Sequence, residues 1–469
     1  MLHLTGPTVQ HCDGLSRRQF LTIGSLGVAG LTLPELLWAE DAAGIKSSRK
    51  SIIFLHLDGG PPQLDTWDMK PFAPREIRGE FLPIRTAIPG FQVSELLPKI
   101  AAMANELVFI RSLVGSAGRH DAFQCQSGYS FKDLASIGGR PALGCVLNKL
   151  QGAPTDAAPT FVDLMQGRPL VRNSARPGFL GPAYAPFRPD ISKMFARELE
   201  PGMKKELARL GGEHTTPLTL NESLSRKRLR SRTELLAGLD RIRRRVDSSG
   251  MMSAMDRFTQ QAVGILTSGK LADALDLDKE APKVLARYTP RIAKDAYRFT
   301  TAEGPESVRK FLLARRLIEA GVRCVSLSLS DFDTHSKNFP RMRTLLPMLD
   351  HGLHALVTDL RERGLWDDVT IVAWGEFGRT PVVNKNGGRD HWPRVAPALL
   401  AGGPLRGGQV LGTTDRTAAA VTTRPIPYHD VFATLYHTLG INALRTTIVD
   451  PRGRPQYLLE AGEVLREVV

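Results

Sequence analysis

Cysteine is scarce, with four residues in 469 at Cys12, Cys125, Cys145 and Cys324. A disulfide scaffold needs a far higher density, so the fold does not depend on cross-links. Long apolar runs are also missing. The longest, residues 23–37, spans fifteen positions and is broken by Gly24, Gly27, Gly30 and Pro34; about 20 are needed to cross a bilayer. Aromatic residues make up only 7% and no internal repeat is visible. What is present is a globular composition, 42% hydrophobic and 23% charged, which excludes collagen, coiled coil and general disorder. The length suits one large domain or two to three small ones, each able to bury its own core.

Lys and Arg outnumber Asp and Glu by 62 to 48, a net charge of +14. Much of the excess sits at Arg226, Lys227, Arg228, Arg230, Arg232, Arg241, Arg243, Arg244 and Arg245. Aromatics do not interleave with these charges and no nucleic-acid motif accompanies them, so nucleic acid is not the expected partner. A solvated helical face, or contact with an acidic polymer or surface, accounts for them instead.

The amino terminus reads as an address. Ser16-Arg17-Arg18-Gln19-Phe20-Leu21 precedes the weakly apolar run, the pattern of a twin-arginine export signal. Cleavage is expected after Ala39 or Ala43, giving a signal of residues 1–43. No lipobox cysteine follows the run, so a lipid anchor is not expected. Residues 1–43 hold two basic and four acidic residues, so their removal takes the charge from +14 to +16. The expected product lies in the periplasm or outside the cell, with no transmembrane segment, and keeps Cys125, Cys145 and Cys324 as buried thiols, although export permits one disulfide among them.

Short apolar runs at 51–57, 107–112, 161–164, 322–329, 369–374 and 397–402 read as buried strands. Helical patterns appear near 96–104, at 343–363 and at 430–439. Strands alternating with helices predict an α/β fold with a mainly parallel sheet. Residues 190–320 have few strand signals and many helix formers, and read as a helical, basic insertion or cap within a domain of residues 44–469.

Open parallel sheets place their sites at the carboxyl ends of strands. There stand Asp58, then Asp331-Phe332-Asp333-Thr334-His335, then Gly375-Glu376-Phe377-Gly378-Arg379, with Gly388-Arg389-Asp390-His391 shortly beyond. Carboxylates and imidazoles in this mixture suit zinc, manganese or iron, and calcium where oxygens dominate. His56 reads as a core or supporting residue. His351 and His354 read as the wet face of their helix.

Leu57-Asp58-Gly59-Gly60-Pro61, Gly139-Arg140-Pro141-Ala142-Leu143-Gly144, Leu313-Ala314-Arg315-Arg316-Leu317-Ile318-Glu319-Ala320-Gly321, Asp333-Thr334-His335, Gly375-Glu376-Phe377-Gly378-Arg379-Thr380-Pro381 and Gly388-Arg389-Asp390-His391 together carry a resemblance. The chain resembles the alkaline-phosphatase/sulfatase superfamily. Within it the chain is more closely similar to an exported, twin-arginine-tagged bacterial family of unknown function. The resemblance implies a three-layer α/β/α sandwich of alkaline-phosphatase type and one or two divalent metals, zinc first, then manganese or calcium. Asp333, His335 and His391 look like the ligands of one ion, and Asp58 and Glu376 like ligands of a second. Relatives have Asp where Glu376 stands and His where Phe377 stands, so the second site lacks a ligand that His120 is placed to supply. His120 alternatively serves as general acid or base. Arg379 looks like an anion clamp, or else a structural partner of Glu376.

The sulfatase nucleophile motif is missing, since none of the cysteines has the following Pro/Ala and Arg. Ser116, or a hydroxide generated on a metal, takes its place. The resemblance implies a metal-dependent hydrolase of sulfate or phosphate esters acting on an anionic ester, including a sulfated or phosphorylated polysaccharide. The alternative is a non-catalytic protein whose degenerate site and basic insertion bind an acidic polysaccharide or cell-surface partner.

Overall fold

The computed structural model describes residues 50–469 except 135–136, 154–155, 167–174, 192–193, 196–261, 263–267 and 291–302. The export signal expected at 1–43 and the basic run at 226–245 lie outside the described residues.

Strand β1 (Ser51–Leu57) sends Ile53, Leu55 and Leu57 into one apolar cluster and Ile52 and Phe54 into another. Successive side chains of a strand point to opposite faces, so the two clusters are the two sides of one sheet. β2 (Leu107–Val114), β3 (Phe161–Leu164), β4 (Cys324–Leu329), β5 (Val369–Trp374) and β6 (Ala396–Gly402) divide their side chains in the same way. Burial on both faces is what makes each of them an apolar run without alternation. β7 (Gln409–Leu411) and β8 (Ile426–Pro427) complete the sheet. Its order is β7-β2-β6-β5-β1-β4-β3, with β8 also paired to β2.

The covering helices are α1 (Pro98–Ala102), α2 (Leu143–Gln151), α3 (Lys270–Leu275), α4 (Pro282–Arg287), α5 (Arg309–Glu319), α6 (Asn338–Glu362) and α7 (Tyr428–Thr438). Ile100, Leu312, Leu313, Leu345, Leu349 and Leu353 from α1, α5 and α6 join the Ile53 side. Val146, Leu147, Val431, Phe432 and Leu435 from α2 and α7 join the other. Each fully buried aliphatic or aromatic side chain contributes about 1.5–3 kcal/mol.

The sheet is mixed and mostly parallel. β1 pairs parallel with β4 and β5, and β3 with β4. β6 is the exception in the described sheet, running antiparallel to both β5 and β2. A run buried on both faces shows that it is a strand but not which way it runs. Helix α6 begins at Asn338, five residues before its expected start, and Pro340 falls in its first turn. A proline there gives up an N–H that has no partner within the helix anyway.

In the stretch 190–320, α5 packs directly on the sheet with Leu312, Leu313 and Leu317 in the core. Residues 268–290 are fastened to it from outside. Glu280 accepts hydrogen bonds from Arg315 (2.5 Å) and Arg316 (2.8 Å), and the Tyr288 hydroxyl donates to Asp359 (3.0 Å). His351 is not on a wet face. It is half-buried, accepts from Lys99 Nζ (2.8 Å) and donates to the Arg287 carbonyl (2.7 Å). Cys125, Cys145 and Cys324 are buried free thiols.

Two measurements test this packing. A Cβ on Gly144 of α2 would lie 2.5 Å from the Phe161 ring and 2.8 Å from Cys324 Sγ, whereas one on Gly304 meets nothing within 4 Å. Gly144→Ala is expected to lower unfolding stability by about 1–3 kcal/mol, and Gly304→Ala to leave it unchanged, in urea titrations. Asp350 of α6 accepts the Ile100 (2.7 Å) and Lys99 (3.2 Å) N–H groups at the start of α1. Burial pushes its carboxyl from 3.8 up to about 6 against those two hydrogen bonds. The folded state therefore holds the proton more tightly than the unfolded chain, and the stability this contributes is complete below about 4 and lost as pH rises through about 6. Asp350→Asn is expected to gain thermal stability relative to wild type between about pH 4 and pH 7; a constant difference across that range contradicts the assignment.

Candidate metal centre

The strand directions bring the chemistry to one edge. β1 ends at Asp58, β4 leads to Asp333 and His335, and β5 leads to Glu376. Because β6 is antiparallel to both its neighbours, β2 runs with β5 and delivers Ser116 and His120 to the same edge. The reversed β6 starts there, and the segment entering it carries His391. That segment is held by a short antiparallel ladder that sets Arg379 opposite His391.

The turns are packed closely. Gly59 has φ +104°, and a Cβ on it would lie 2.3 Å from the Asp333 backbone nitrogen. Only glycine takes that conformation and that approach without strain. Its N–H donates to Glu376 Oε2 at 3.0 Å, tying the β1 turn to the β5 turn.

Two groups of ligand-type side chains result. The inner group is His56, Asp58 and Glu376, all buried. His56 Nε2 lies 3.6 Å from Glu376 Oε1. Neither His56 ring nitrogen makes a hydrogen bond to a described residue, although the ring is buried. Burial alone would lower the His56 pKa, but the Glu376 carboxylate raises it overall. Burial would likewise raise Glu376, yet the His56 and His120 imidazoles hold its carboxyl well below the usual range. The group favours a positive charge in its midst, which a cation supplies as readily as a proton.

The outer group gathers the expected trio of Asp333, His335 and His391. His335 Nε2 lies 3.1 Å from both Asp333 Oδ1 and His391 Nε2, and His391 Nε2 lies 3.3 Å from Asp333 Oδ1. The opposite ring nitrogens face acceptors: His335 Nδ1 meets Asp390 Oδ1 at 2.6 Å and His391 Nδ1 meets the Gly118 carbonyl at 3.3 Å. With a cation bound, those partners would keep the protons on Nδ1 and free both Nε2 lone pairs toward it, whereas without one a proton on His391 Nε2 donates to Asp333. Backing a ligand histidine with a carboxylate or carbonyl is how metal sites fix ring orientation. Burial would raise Asp333, but hydrogen bonds from His120 and His391 and the Arg379 charge hold it far below the carboxylate range.

His120 stands between the groups. Its Nε2 is 3.1 Å from Asp333 Oδ2 and its Nδ1 is 3.5 Å from Glu376 Oε1. It clusters with Asp333 and His391 as a ligand-type side chain. The third member of the inner group is thus His56, which was read as a core or supporting residue. The signal for it was present: His56 and Asp58 are two apart, which on a strand puts them on one face.

Two expected roles change. Arg379 is fully buried, donating to the Gly59, Gly60 (3.1 Å) and Arg389 (3.0 Å) carbonyls and to Asp333 Oδ1 at 2.7 Å. A clamp for a substrate anion needs donors facing an open site, and these face inward. Arg379 positions Asp333, and its carboxylate partner is Asp333 rather than Glu376. Ser116 Oγ donates to the Glu376 carbonyl at 2.6 Å and accepts from the Gly118 N–H at 3.0 Å, so it braces the loop. Burial also pushes the Cys125 thiol well up, which withholds the thiolate a nucleophile needs.

Beneath the site Arg389 is fully buried. It pairs with Asp65 (2.9 Å) and donates to the Thr380 (3.1 Å) and Ile77 (2.8 Å) carbonyls. Asn338 donates to the same Asp65 carboxylate at 2.8 Å and accepts from Thr334 at 2.7 Å. This network locks the loop between Asp333 and His335 to the segment carrying His391. Arg389→Met strands the Asp65 charge, and a loss of about 3–5 kcal/mol in urea unfolding is expected; wild-type stability in that variant contradicts the network's role.

No curated protein matches the chain. Solved structures similar to it include the PsFucS1 sulfatase from Pseudoalteromonas sp., at 12% identity over 93% of this chain and 73% of that one, TM-score 0.34. They also include the phosphonate monoester hydrolase SpPMH from Silicibacter pomeroyi, at 12% identity over 89% and 76%, TM-score 0.33. A third is the lipoteichoic acid synthase LtaP from Listeria monocytogenes, at 12% identity over 84% and 72%, TM-score 0.31. Residues 49–469 match the family described as a protein of unknown function, DUF1501, and the chain belongs to that family.

Proposed function

We propose that this chain is a divalent-metal-dependent hydrolase of sulfate or phosphate esters, built on an alkaline-phosphatase-like fold and exported by the twin-arginine route. The observation that carries the reading is the adjacency of two groups, His56–Asp58–Glu376 and His120–Asp333–His391, with His335 Nε2 3.1 Å from both Asp333 and His391 and His120 also reaching Glu376. A divalent cation held by Asp333, His335 and His391 would polarise an ester oxygen and make a bound water more acidic, and one held by His56, Asp58 and Glu376 would add positive charge beside it. Mixed imidazole and carboxylate donors suit zinc first, with manganese or calcium as further candidates.

The protein's own groups divide the remaining work. Asp390 orients His335 and the Gly118 carbonyl orients His391, so both rings present Nε2 inward. Arg379 fixes Asp333 from behind. His120, placed between the groups and partly exposed, carries the proton that the leaving group needs. No side-chain nucleophile is required, and water is the attacking reagent. The substrate is an anionic ester, and an acidic polysaccharide outside the cytoplasm fits both that chemistry and the export signal.

Purified protein should be assayed on aryl sulfates and aryl phosphates with added Zn²⁺, Mn²⁺ or Ca²⁺. Asp58→Asn and Asp333→Asn are each expected to lose at least about 100-fold in kcat/KM. His120→Gln should lower kcat at saturating metal. Turnover that survives both Asp variants places the chemistry elsewhere.

A further inference from the structure

The inner and outer groups differ in how they meet solvent. His56, Asp58 and Glu376 are 1%, 5% and 1% exposed. Asp333, His391 and His335 side chains are 19%, 26% and 49% exposed. The inner group is buried among its neighbours. His56 belongs to the central strand, in register with Ser328 and Trp374, both buried. Glu376 gives one carboxylate oxygen to the Gly59 N–H and turns the other toward His56 and His120. Tyr428, fully packed, holds the Glu376 carbonyl at 2.9 Å from below. On the outer side the His120 ring stands over the group, backed by Phe377 at 5.3 Å between centroids. Phe377 itself stacks on His391 at 4.2 Å. A cation in the inner group is therefore separated from solvent by His120 and Phe377, whereas one in the outer group borders solvent through His335.

Closed sites hold structural metals, and catalytic sites keep an open position. Resting on the metal-dependent reading above, we infer that the two groups are functionally unequal: the inner group retains a resident structural cation, and the outer group is an exchangeable site where an anionic substrate oxygen meets the metal. Release from the inner group requires local opening of the β1 and β5 turns. Release from the outer group requires only rotation of the half-exposed His335. The buried His56 ring makes no hydrogen bond of ordinary length among the described residues, and its Nε2 has Glu376 Oε1 at 3.6 Å, which gives the inner group its own reason to keep a cation. The Phe377 ring, which stands where a further ligand is expected from the resemblance, lies against His120 and His391 and limits their movement.

The experiment is metal exchange on the full chain loaded with Zn²⁺ alone. The loaded protein is mixed with excess EDTA and a chromogenic chelator, and zinc release is followed with time. The expected result is about two equivalents leaving in two phases of roughly one each, with rates at least about tenfold apart. His391→Ala should remove the fast phase and keep the slow one. His335→Ala, at a half-exposed position, should do the same and serves if His391→Ala does not fold. Phe377→Ala should speed the slow phase. Two equivalents leaving in one phase, or a folded His335→Ala that loses both, overturns the inequality and leaves the metalloprotein reading standing. Less than one tightly held equivalent in the wild type overturns the metalloprotein reading itself.

Discussion

Lone pairs crowded together at a largely buried edge of the sheet are the constraint on which the rest of this structure depends. Three carboxylates and four imidazoles meet at one edge of the sheet, with separations as short as 3.1 Å. Such a collection repels itself unless positive charge enters it. The protein supplies part of that charge from behind through Arg379, which reaches Asp333. In the inner group the His56 and His120 imidazoles hold the Glu376 carboxyl below the usual carboxylate range, a place that a cation fills as well. The surrounding architecture serves to hold these groups together against their repulsion. The tight β1 turn, the Gly59 link to Glu376 and the buried Asp65–Arg389 pair all act in this sense.

The sheet topology explains how residues far apart in sequence arrive in one place. Parallel strands point their carboxyl ends the same way, so β1, β4 and β5 deliver Asp58, Asp333 and Glu376 together. The one reversed strand is as important. Were β6 parallel, the segment entering it would lie at the far edge, and His391 would be a strand length away from Asp333. Its reversal also lets β2 run with β5 and bring His120 to the site. The reversal thus completes the outer group and supplies the residue that bridges the two.

Much of this was legible in the sequence, for reasons that also show where legibility ends. Runs such as 51–57 and 369–374 are buried on both faces, so their apolar composition alone marks them as strands. Asp58, Asp333, His335, Glu376 and His391 stand at or beyond strand ends, where α/β chemistry collects. The direction of β6 was hidden because hydrophobicity carries no sign along the chain. His56 was hidden because it sits inside an apolar run, where a histidine looks like core; only its spacing of two from Asp58 reveals a shared face. The partners of Arg379 were out of reach because they are backbone carbonyls, which every residue has. Its reassignment from substrate clamp to positioning group follows from burial, a property of the folded chain.

The central claim is that cations occupy both groups. Anomalous diffraction at the zinc absorption edge, from crystals of the zinc-loaded protein, tests it most directly. The account predicts two anomalous peaks, one about 2.0–2.2 Å from ligand atoms of His56, Asp58 and Glu376, and one at the same range from Asp333, His335 and His391. Crystals of fully folded, zinc-loaded protein with no peak at either group, or with zinc bound only elsewhere, would contradict it.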